Sequence, residues 1–405
     1  MREIILWILS FVSLFVSLFW LQIIYLKKKN SLLKEYYPAV SILIPAHNEE
    51  KNIANSIKSI LNLEYPKNRL KVIVINDSST DKTKEIASKF KEVLVIDNKH
   101  KGIGKASALN QGLKFVNTEL FAVLDSDSEV KPDSLKKLVL LFRDKKTAAA
   151  ISQIKIKNSK NILTKIQRIE YILAAFIRKL MSKIDTLHIT PGVLSVYRAS
   201  IVKKLKNFDE NNITEDLEIA MRLRYYHYNV KMNDEAITYT NAPSTFKDLW
   251  NQRIRWFRGF IQNNLKYKKL FMSKKHGLMG KIQYPLNAIT FLTILLTFFL
   301  ISYELIRTLY QFITKLILLK KDIFYTFKIP TLREILLNID IKYIFPLIIA
   351  FLLSLFLLSL AYKNSKERWV LTPELLIYFS IYPILRLVHW IVAIYKETTK
   401  VKRKW

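Results

Sequence analysis

Leu120-Phe121-Ala122-Val123-Leu124-Asp125-Ser126-Asp127 places five apolar residues directly before two carboxylates that are one residue apart. A short continuous apolar run of this kind predicts a buried strand. Three other short runs, at 40–45, 71–75 and 92–96, are β-branched or apolar and predict further strands. Helix-like stretches lie between them, for example at 52–63 and 81–90. Strands that alternate with helices predict an α/β fold with a largely parallel sheet.

Polar clusters follow three of these four predicted strands. His47-Asn48-Glu49 comes after the first, Asn76-Asp77 after the second and Asp125-Ser126-Asp127 after the fourth. In open parallel sheets, ligands bind beyond the carboxyl ends of the strands. The sequence therefore predicts a site at that edge of the sheet.

Asp125 and Asp127 are candidate metal ligands. Two carboxylates one residue apart at a strand end can converge on one Mg²⁺ or Mn²⁺ ion, which would bridge them to phosphate oxygens. A solvated turn is the more frequent reason for an Asp-x-Asp pattern, and the preceding strand favours the metal site here. Cysteine is absent from the chain, which excludes disulfides and thiol catalysis.

Two upstream segments are candidates for holding a nucleotide. Asp77 could accept hydrogen bonds from a base or ribose, although the polar residues at 78–81 also suit helix capping. Lys105 follows a Gly-x-Gly turn and could contact a diphosphate as a point charge. The turn is not a Walker A motif, since Ala106 stands where Ser or Thr is required. A Gly-x-Gly-x-x-Gly fingerprint is also missing, which argues against a dinucleotide oxidoreductase.

Thr214-Glu215-Asp216 precedes a helical stretch that runs to about Tyr228. Thr214 is a candidate N-cap, which places Asp216 in the first turn, where the helix dipole favours an ionised carboxylate. An ionised Asp is what a general base needs to take a proton from an acceptor hydroxyl. Plain complementation of the dipole is the alternative, and the neighbouring motifs favour the catalytic role.

Gln252-Arg253-Ile254-Arg255-Trp256 lies in a stretch, 246–265, whose apolar residues recur at helical spacing. On a helix, Gln252, Arg255 and Trp256 share one face. Arg suits phosphate oxygens, and Trp suits the apolar face of a sugar ring. Residues 247–281 include ten Lys or Arg and one carboxylate. The helix is therefore predicted to lie in a membrane interface, with a solvated surface helix as the alternative.

The chain has 405 residues that are 50% hydrophobic and 24% charged, which predicts apolar segments beside a polar domain. Residues 4–26, 282–303 and 343–362 are long and apolar enough to cross a bilayer. A cleaved signal peptide is the alternative for the first. Arg386 and His389 interrupt the stretch 375–395, which is predicted to be kinked, interfacial or re-entrant. The sequence therefore predicts a multi-pass protein of the cell membrane. Basic residues at 27–29 and 400–404 predict that the region after the first apolar segment and the C-terminal tail lie in the cytoplasm.

The net charge of +32 fits two kinds of partner. One is nucleic acid, and the other is anionic lipid together with phosphorylated substrates. The basic residues concentrate near the predicted membrane borders, so membrane lipids are expected as partners and nucleic acid is not. A membrane-tethered nucleic-acid binder is the non-enzymatic alternative.

In this order the motifs resemble those of the membrane-embedded family 2 glycosyltransferases, which include cellulose, hyaluronan, chitin and poly-N-acetylglucosamine synthases. The resemblance runs from about residue 39 to 260 and rests on the segments 45–49, 76–81, 105–110, 125–127, 190–195, 214–216 and 252–256. There is one departure: Asn76 stands where the family has the first acid of an Asp-Asp pair. An amide keeps the hydrogen-bonding geometry and loses the charge.

The resemblance implies a GT-A (nucleotide-diphospho-sugar transferase) domain plus transmembrane helices, and a single displacement that inverts the anomeric carbon. It implies a donor site that contains Glu49, Asp77, Lys105, Asp125, Gln252 and Arg255. The implied ligands of Mg²⁺ or Mn²⁺ are Asp125 and Asp127. The implied acceptor site contains Trp256, Gly192 and Ser195. Catalysis is assigned to Asp216, which deprotonates the acceptor, and to its neighbour Glu215.

The predicted organisation is a transmembrane anchor at 1–30, a cytoplasmic GT-A domain at 38–240, amphipathic interfacial helices at 241–281 and a transmembrane region at 282–405. The predicted reaction transfers a sugar from a nucleotide-diphosphate sugar to a growing polysaccharide or lipid-linked glycan. Transfer of one sugar to polyprenyl phosphate or another lipid acceptor is the alternative. The intact Asp125, Asp127, Asp216 and Arg255 argue against an inactive scaffold.

Overall fold

The computed structural model of the protein describes residues 2–26, 35–98, 104–319, 331 and 341–401. The basic residues 27–29, the first glycine of the Gly-x-Gly turn and the basic tail beyond residue 401 lie outside the described residues. The chain divides into two compact units. The apolar unit comprises Met1–Tyr25 and Pro285–Leu360, and the sheet unit comprises Leu26–Tyr284 and Ala361–Trp405.

Eight strands form one sheet in the sheet unit. They are β1 Val40–Ala46, β2 Leu70–Asn76, β3 Val93–Asp97, β4 Leu120–Leu124, β5 Glu129–Val130, β6 Thr147–Ile156, β7 Val193–Arg198 and β8 Asn229–Thr240. Their order is β3-β2-β1-β4-β7-β6-β8-β5. The four predicted strands are β1 to β4, and they pair in parallel. The α/β fold is thus confirmed, but β7 runs antiparallel to β4 and β6, so the second half of the sheet is mixed.

The core lies on both faces of this sheet because successive side chains of a strand point in opposite directions. Leu43, Ile73 and Phe121 belong to the core on one face. Ile42 and Val72 belong to the core on the other. β1 and β4 are buried along their whole length, which explains why they appear in the sequence as continuous apolar runs.

Both units contain helices. In chain order they are α1 Arg2–Ile24, α2 Ile53–Leu61, α3 Thr83–Ser88, α4 Lys105–Leu113, α5 Ser134–Val139, α6 Ile162–Lys183, α7 Ala199–Lys204, α8 Glu215–Tyr225, α9 Phe246–Lys266, α10 Tyr284–Leu319, α11 Ile341–Asn364, α12 Pro373–Ser380 and α13 Tyr382–Thr398. The predicted helices after β1 and β2 are α2 and α3. The helix predicted from Thr214 is α8, which ends three residues earlier than expected.

The predicted amphipathic helix is α9, and its apolar stripe packs mostly on protein. The Phe257 ring stacks on Trp390 of α13 at 4.3 Å between centroids, and Trp250 lies 4.7 Å from the His389 ring. Only the ends of the stripe, Phe246 and Leu265, are strongly exposed. The middle of the stripe is therefore covered by α13, and any contact of α9 with a membrane would involve its ends.

Among the described residues, three helices are long and apolar enough to cross a membrane: Glu3–Ile24, Met279–Leu318 and Phe345–Asn364. They coincide with the three predicted apolar segments. The second extends beyond its predicted end because the helix continues through Glu304, which pairs with Arg307 one turn later at 3.7 Å. α12 and α13 are bent by 41° at their junction, which confirms the predicted kink in the fourth segment.

Candidate active site

Lys105, Asp125 and Glu215 meet beyond the carboxyl end of β4. Lys105 is the first residue of α4, and its ammonium group donates to Asp125 Oδ1 and lies 3.5 Å from Glu215 Oε1. A Cβ atom on Gly192 would lie 2.2 Å from Lys105 Nζ and 2.6 Å from Asp125 Oδ1. Only glycine leaves room for this ion pair, so Gly192 lies against the predicted donor and metal residues.

Together with Asp127 and Asp216, these residues form a carboxylate cluster in which acids outnumber the cation. Burial alone would lower the pKa of Lys105, but the carboxylates of Asp125, Glu215 and Asp216 raise it above its ordinary value. Burial and the charge of Asp125 raise the pKa of Asp127 to about 6. The cluster therefore disfavours its own negative charge, as a site built to receive cations or protons does.

Asp216 lies in the first turn of α8, as predicted. Its Oδ1 accepts a hydrogen bond from the Leu217 amide at 2.8 Å, and its carbonyl accepts one from the Thr190 hydroxyl at 2.7 Å. Burial and the neighbouring Glu215 raise the pKa of Asp216 to about 6. Here burial outweighs the helix dipole, which was expected to favour the ionised form. A carboxylate with this pKa is still largely ionised at pH 7 and is a stronger base than an ordinary Asp.

The nucleotide-side residues lie at the ends of β2 and β3. Asp77 is buried and accepts a hydrogen bond from Asn98 Nδ2 at 2.8 Å. The Asn76 amide donates to Asp97 Oδ1 at 2.9 Å and accepts from the Ser79 amide at 3.3 Å. An aspartate at position 76 could not donate to Asp97 and would face it with a like charge. Asn76, which stands where the resembled family has an acid, is therefore suited to its neighbour Asp97, because the amide can donate to that carboxylate.

Two other predicted features flank Asp77. Glu49 accepts from Asn52 Nδ2 at 2.8 Å, and burial raises the pKa of Glu49 while Asp125 adds a smaller effect in the same direction. The pKa of Glu49 therefore depends in part on the charge of Asp125 in the carboxylate cluster. Asp81 accepts from the Thr83 amide at 3.0 Å at the start of α3, whereas Lys82 stands at the N-cap position and makes no side-chain cap. Asp81 therefore binds the first amide of α3 without being its N-cap.

α9 docks closely on the segment that carries Asp216. A Cβ atom on Gly259 would lie 2.1 Å from Thr214 Oγ1, so glycine permits the close approach of the helix. Asn263 donates to Thr214 Oγ1 at 3.1 Å and pairs with Asn212. Thr214 stands at the N-cap position of α8 without capping through its side chain, because the hydroxyl takes part in this contact. The docking fixes α9 beside the first turn of α8.

The motif residues of α9 differ in their surroundings. Arg255 is exposed, and its charge acts to lower the pKa of Asp216. Gln252 and Trp256 are half-buried and both contact Arg253, which donates to Gln252 Oε1 at 2.8 Å and lies 4.3 Å from the centre of the Trp256 ring. The structure therefore connects Gln252 with Trp256 through a residue that was not singled out from the sequence.

Sequence reasoning missed Arg253 and its partner Glu170 on α6. Arg253 is 1% exposed and is the largest fully buried side chain in the described part of the chain. A charged residue in the helix stripe next to buried Ile254 was the available signal. Gly259 was missed too, although glycine within a long amphipathic helix signals close packing in a chain that has only seven glycines.

Ser195 does not join the other site residues. It lies within β7 and is fully buried, and its hydroxyl donates to the Pro191 carbonyl. Its side chain is therefore used inside the sheet unit. Because Ser195 is fully buried, it has no exposed surface with which to make the predicted contact with an acceptor.

Comparison with known proteins agrees with this arrangement. Residues 41–206, which contain β1 to β4 and the Asp125-Ser126-Asp127 motif, match the family described as glycosyl transferase family 2. The chain carries a family 2 glycosyltransferase domain. A probable glycosyltransferase, YdaM of Bacillus subtilis (strain 168), is 36% identical over 59% of each chain. A poly-beta-1,6-N-acetyl-D-glucosamine synthase of Staphylococcus epidermidis is 31% identical over 62% of this chain and 64% of the relative.

These matches span less than two thirds of each relative. The fold of the chain also matches a solved structure of a mannosyltransferase from Pyrobaculum calidifontis in complex with GDP-Man and Mn²⁺. The TM-score is 0.69 at 16% identity, over 99% of this chain and 100% of the other. That likeness confirms the GT-A fold.

Asp125 and Asp127 fit the divalent ion that the fold class implies. Both are hard oxygen donors, and the charge of Asp125 raises the pKa of Asp127, a repulsion that a cation would relieve. Within the described residues, no group of three or more His, Asp or Glu is placed to hold an ion alone.

Proposed function

We propose that this glycosyltransferase is membrane-bound and metal-dependent, and that it extends a polysaccharide or lipid-linked glycan with inversion at the anomeric carbon. The observation that carries the proposal is the convergence of Asp125, Asp216 and the charge of Arg255 at the edge of the sheet. A metal site, a base and a free cation at one place are the groups that sugar transfer from a nucleotide diphosphate requires.

Asp125 and Asp127 are proposed to hold Mg²⁺ or Mn²⁺, and a bound ion would neutralise charge on the leaving diphosphate. The mannosyltransferase that shares the fold was solved with Mn²⁺ and a nucleotide sugar, which supports this class of ion and donor. Lys105 and exposed Arg255 supply protein cations near the same position. The base and ribose of the donor are assigned to Asp77 and Glu49 beyond β1 and β2.

Asp216 is proposed to act as the general base. It takes the proton from an acceptor hydroxyl while the acceptor oxygen bonds to the anomeric carbon and the bond to the diphosphate breaks. The nucleoside diphosphate leaves with the bonding electrons. The raised pKa of Asp216 strengthens it as a base at neutral pH. Its neighbour Glu215 is paired with Lys105, so Glu215 acts through the electrostatics of the site.

Trp256 is proposed to bind the acceptor sugar. Arg253 lies over the indole ring at 4.3 Å, and Trp256 is half-buried, so part of its surface is accessible for stacking. We expect Trp256→Ala to raise the KM for acceptor more than the KM for donor. An equal rise in both constants would contradict the stacking role.

A growing polysaccharide is favoured as acceptor because a relative is named as a poly-beta-1,6-N-acetyl-D-glucosamine synthase. Transfer of a single sugar to polyprenyl phosphate or another lipid is the second candidate, and the three helices apolar enough to cross a membrane are compatible with either acceptor. The proposed location is the cell membrane, with the sheet unit in the cytoplasm, where nucleotide sugars are available.

The test is a turnover screen with the full-length protein in lipid nanodiscs, using UDP-, GDP- and dTDP-sugars with membrane lipid extract as acceptor. A ladder of oligomers supports polymer extension, and a single lipid-linked sugar supports the second candidate. Asp216→Asn serves as the inactive control for contaminating transferases. The glycosyl-transfer proposal fails if no donor is consumed above that control, and tight nucleic-acid binding at physiological salt would then favour the non-enzymatic alternative.

A further inference from the structure

We propose that Arg253 is a positioning residue that sets the Gln252 amide and the Trp256 ring for transfer, and that it is itself held by Glu170. The inference rests on the proposed function, since it concerns how that site is held in shape. Arg253 does not belong to the carboxylate cluster, and its charge is used inside the protein.

Arg253 joins three helices of the sheet unit. It extends from α9 and donates to Glu170 Oε2 of α6 at 2.7 Å. The same carboxylate oxygen accepts from the Tyr382 hydroxyl of α13 at 2.8 Å, and Glu170 Oε1 lies 3.8 Å from Arg386. We call Glu170, Arg253, Tyr382 and Arg386 the Arg253 hub. It connects the motif helix to the last helix of the described chain.

The hub fixes the orientation of the Gln252 side chain. A guanidinium group only donates hydrogen bonds, so the atom of Gln252 that faces Arg253 must be the amide oxygen. Both N–H donors of Gln252 are then left for other partners. Gln252 is therefore presented as a donor, which suits an oxygen of a diphosphate or a sugar hydroxyl.

The hub also fixes the Trp256 ring. Arg253 is nearly inaccessible to solvent and cannot swing away, and its guanidinium stacks over the indole. A planar cation that is held at one end by a carboxylate therefore sets the plane of the ring that the proposal assigns to the acceptor. Lysine would keep the charge but lose both the planar stack and the second hydrogen bond.

A single substitution at Arg253 would leave Glu170 buried beside fewer cations and risks unfolding. The informative variant therefore changes both partners, Arg253→Gln with Glu170→Gln, which removes the two charges together. The matched control is Lys165→Gln with Glu374→Gln. That pair also links α6 to α12, at 2.6 Å, and neither of its members belongs to α9.

We expect the paired variant to fold and to lose about tenfold in kcat/KM for the donor sugar that the wild type uses, as loss of a charged hydrogen bond predicts. The control pair should stay within about twofold, as expected for a partly exposed ion pair. Arg253→Lys should restore neither the contact with Gln252 nor the stack on Trp256 and should resemble the paired variant. Wild-type kcat/KM in the folded paired variant would overturn the inference.

A double-mutant cycle separates positioning from general support of the fold. In a Gln252→Ala background the paired substitution should cost less than it does in the wild type, because one of its two targets is already gone. The same tenfold loss in both backgrounds would mean that Arg253 does not act through Gln252.

A third readout needs no turnover. The fluorescence contributed by Trp256 is the difference between each protein and its Trp256→Phe counterpart, and we expect it to change in the paired variant and to persist in the control. An unchanged contribution would overturn the stacking role of Arg253. If the wild type consumes no donor, the proposed function fails, while this measurement still decides whether Arg253 orients the ring.

Discussion

The sheet unit contains two buried clusters of charge that are built in opposite ways. In the carboxylate cluster the acids outnumber the cation, and the pKa values of Asp127 and Asp216 are raised to about 6. In the Arg253 hub one carboxylate faces two guanidinium groups. Burial alone would raise the pKa of Glu170, but Arg253 and Arg386 lower it. In the first cluster the acids outnumber the cation, and in the second two guanidinium groups outnumber the carboxylate.

The different charge balance of the two clusters fits different proposed roles, one in the reaction and one in holding side chains in place. A site that must accept a proton or a cation works best when its own groups leave negative charge uncompensated. A cluster that must hold side chains in place works best when every charge has a partner, because a satisfied network has one preferred geometry. The opposite pKa directions of the two clusters therefore support the proposed division into reacting and supporting groups.

The largest effect is expected from Asp216→Asn, which tests whether the first cluster reacts. The substitution should reduce sugar transfer by about 10³-fold, within the range for loss of a general base, and leave donor binding within a few-fold of wild type. Single-turnover transfer and nucleotide-sugar titration measure the two quantities. Asp209→Asn is the matched control, since Asp209 pairs with Lys266 at 2.6 Å and Lys266 keeps a second partner in Glu218. Wild-type transfer by Asp216→Asn would sink the base assignment.

Removal of divalent ions tests the shortage of positive charge. Excess chelator should reduce transfer by about 10²-fold or more, because charge stabilisation at a leaving group commonly has that value, and Mg²⁺ or Mn²⁺ should restore it. The same treatment should leave the thermal midpoint of the hub's control pair, Lys165→Gln with Glu374→Gln, unchanged relative to wild type. Undiminished turnover in chelator would show that Lys105 and Arg255 stabilise the leaving diphosphate without a metal ion.

The pH profile measures how far the first cluster resists ionisation. The pKa of Asp216 is about 6, so the base is protonated and lost as the pH falls through that value. In saturating divalent ion we expect kcat/KM to fall about tenfold for each pH unit below 6, with a plateau above 7. A profile that stays flat down to pH 5 would mean that the reacting base is an ordinary, exposed carboxylate.

The smallest effects are in stability, and they should differ in sign between the clusters. The pKa of Asp216 is higher in the folded than in the unfolded chain, so its ionisation disfavours folding above pH 6, and Asp216→Asn should stabilise the protein by about 1–3 kcal/mol at pH 7.5. Glu170 has the opposite shift and stabilises the fold above its ordinary pKa. Glu170→Gln should cost about 3–5 kcal/mol by leaving Arg253 without its partner. Denaturant titration measures the free energy of unfolding of both variants. Changes of the same sign would contradict the proposed difference between the two clusters.

The sequence predicts the first half of the sheet better than the second. β1 to β4 are apolar runs that end in polar clusters, so both their existence and their order along the chain are visible. β6 contains three consecutive alanines and a buried Gln153, and β7 pairs antiparallel with β4. Alanines such as those of β6 are depleted in strands. β7 is mostly apolar, but its antiparallel direction depends on the path of the chain between strands.

The candidate site divides in the same manner. Motifs at strand ends predict Asp77 and Asp125, because position after a strand determines which edge a residue reaches, and the helix start at Thr214 predicts Asp216. The Arg253 hub joins positions 170, 253 and 382, which no local spacing connects. Ser195 shows the converse: a motif position can lie inside a strand and be buried by the sheet. Local patterns identify reacting groups, and packing alone identifies what holds them.

The ion pair between Lys105 and Asp125 places a tethered competitor at the proposed metal site. A divalent ion that binds Asp125 would have to displace the ammonium group of Lys105. The first turn of α4 holds that group beside the carboxylate. The apparent affinity for the ion thus depends on the lysine as well as on the carboxylates. A donor diphosphate that attracts Lys105 would release Asp125, so donor and metal would each favour the binding of the other.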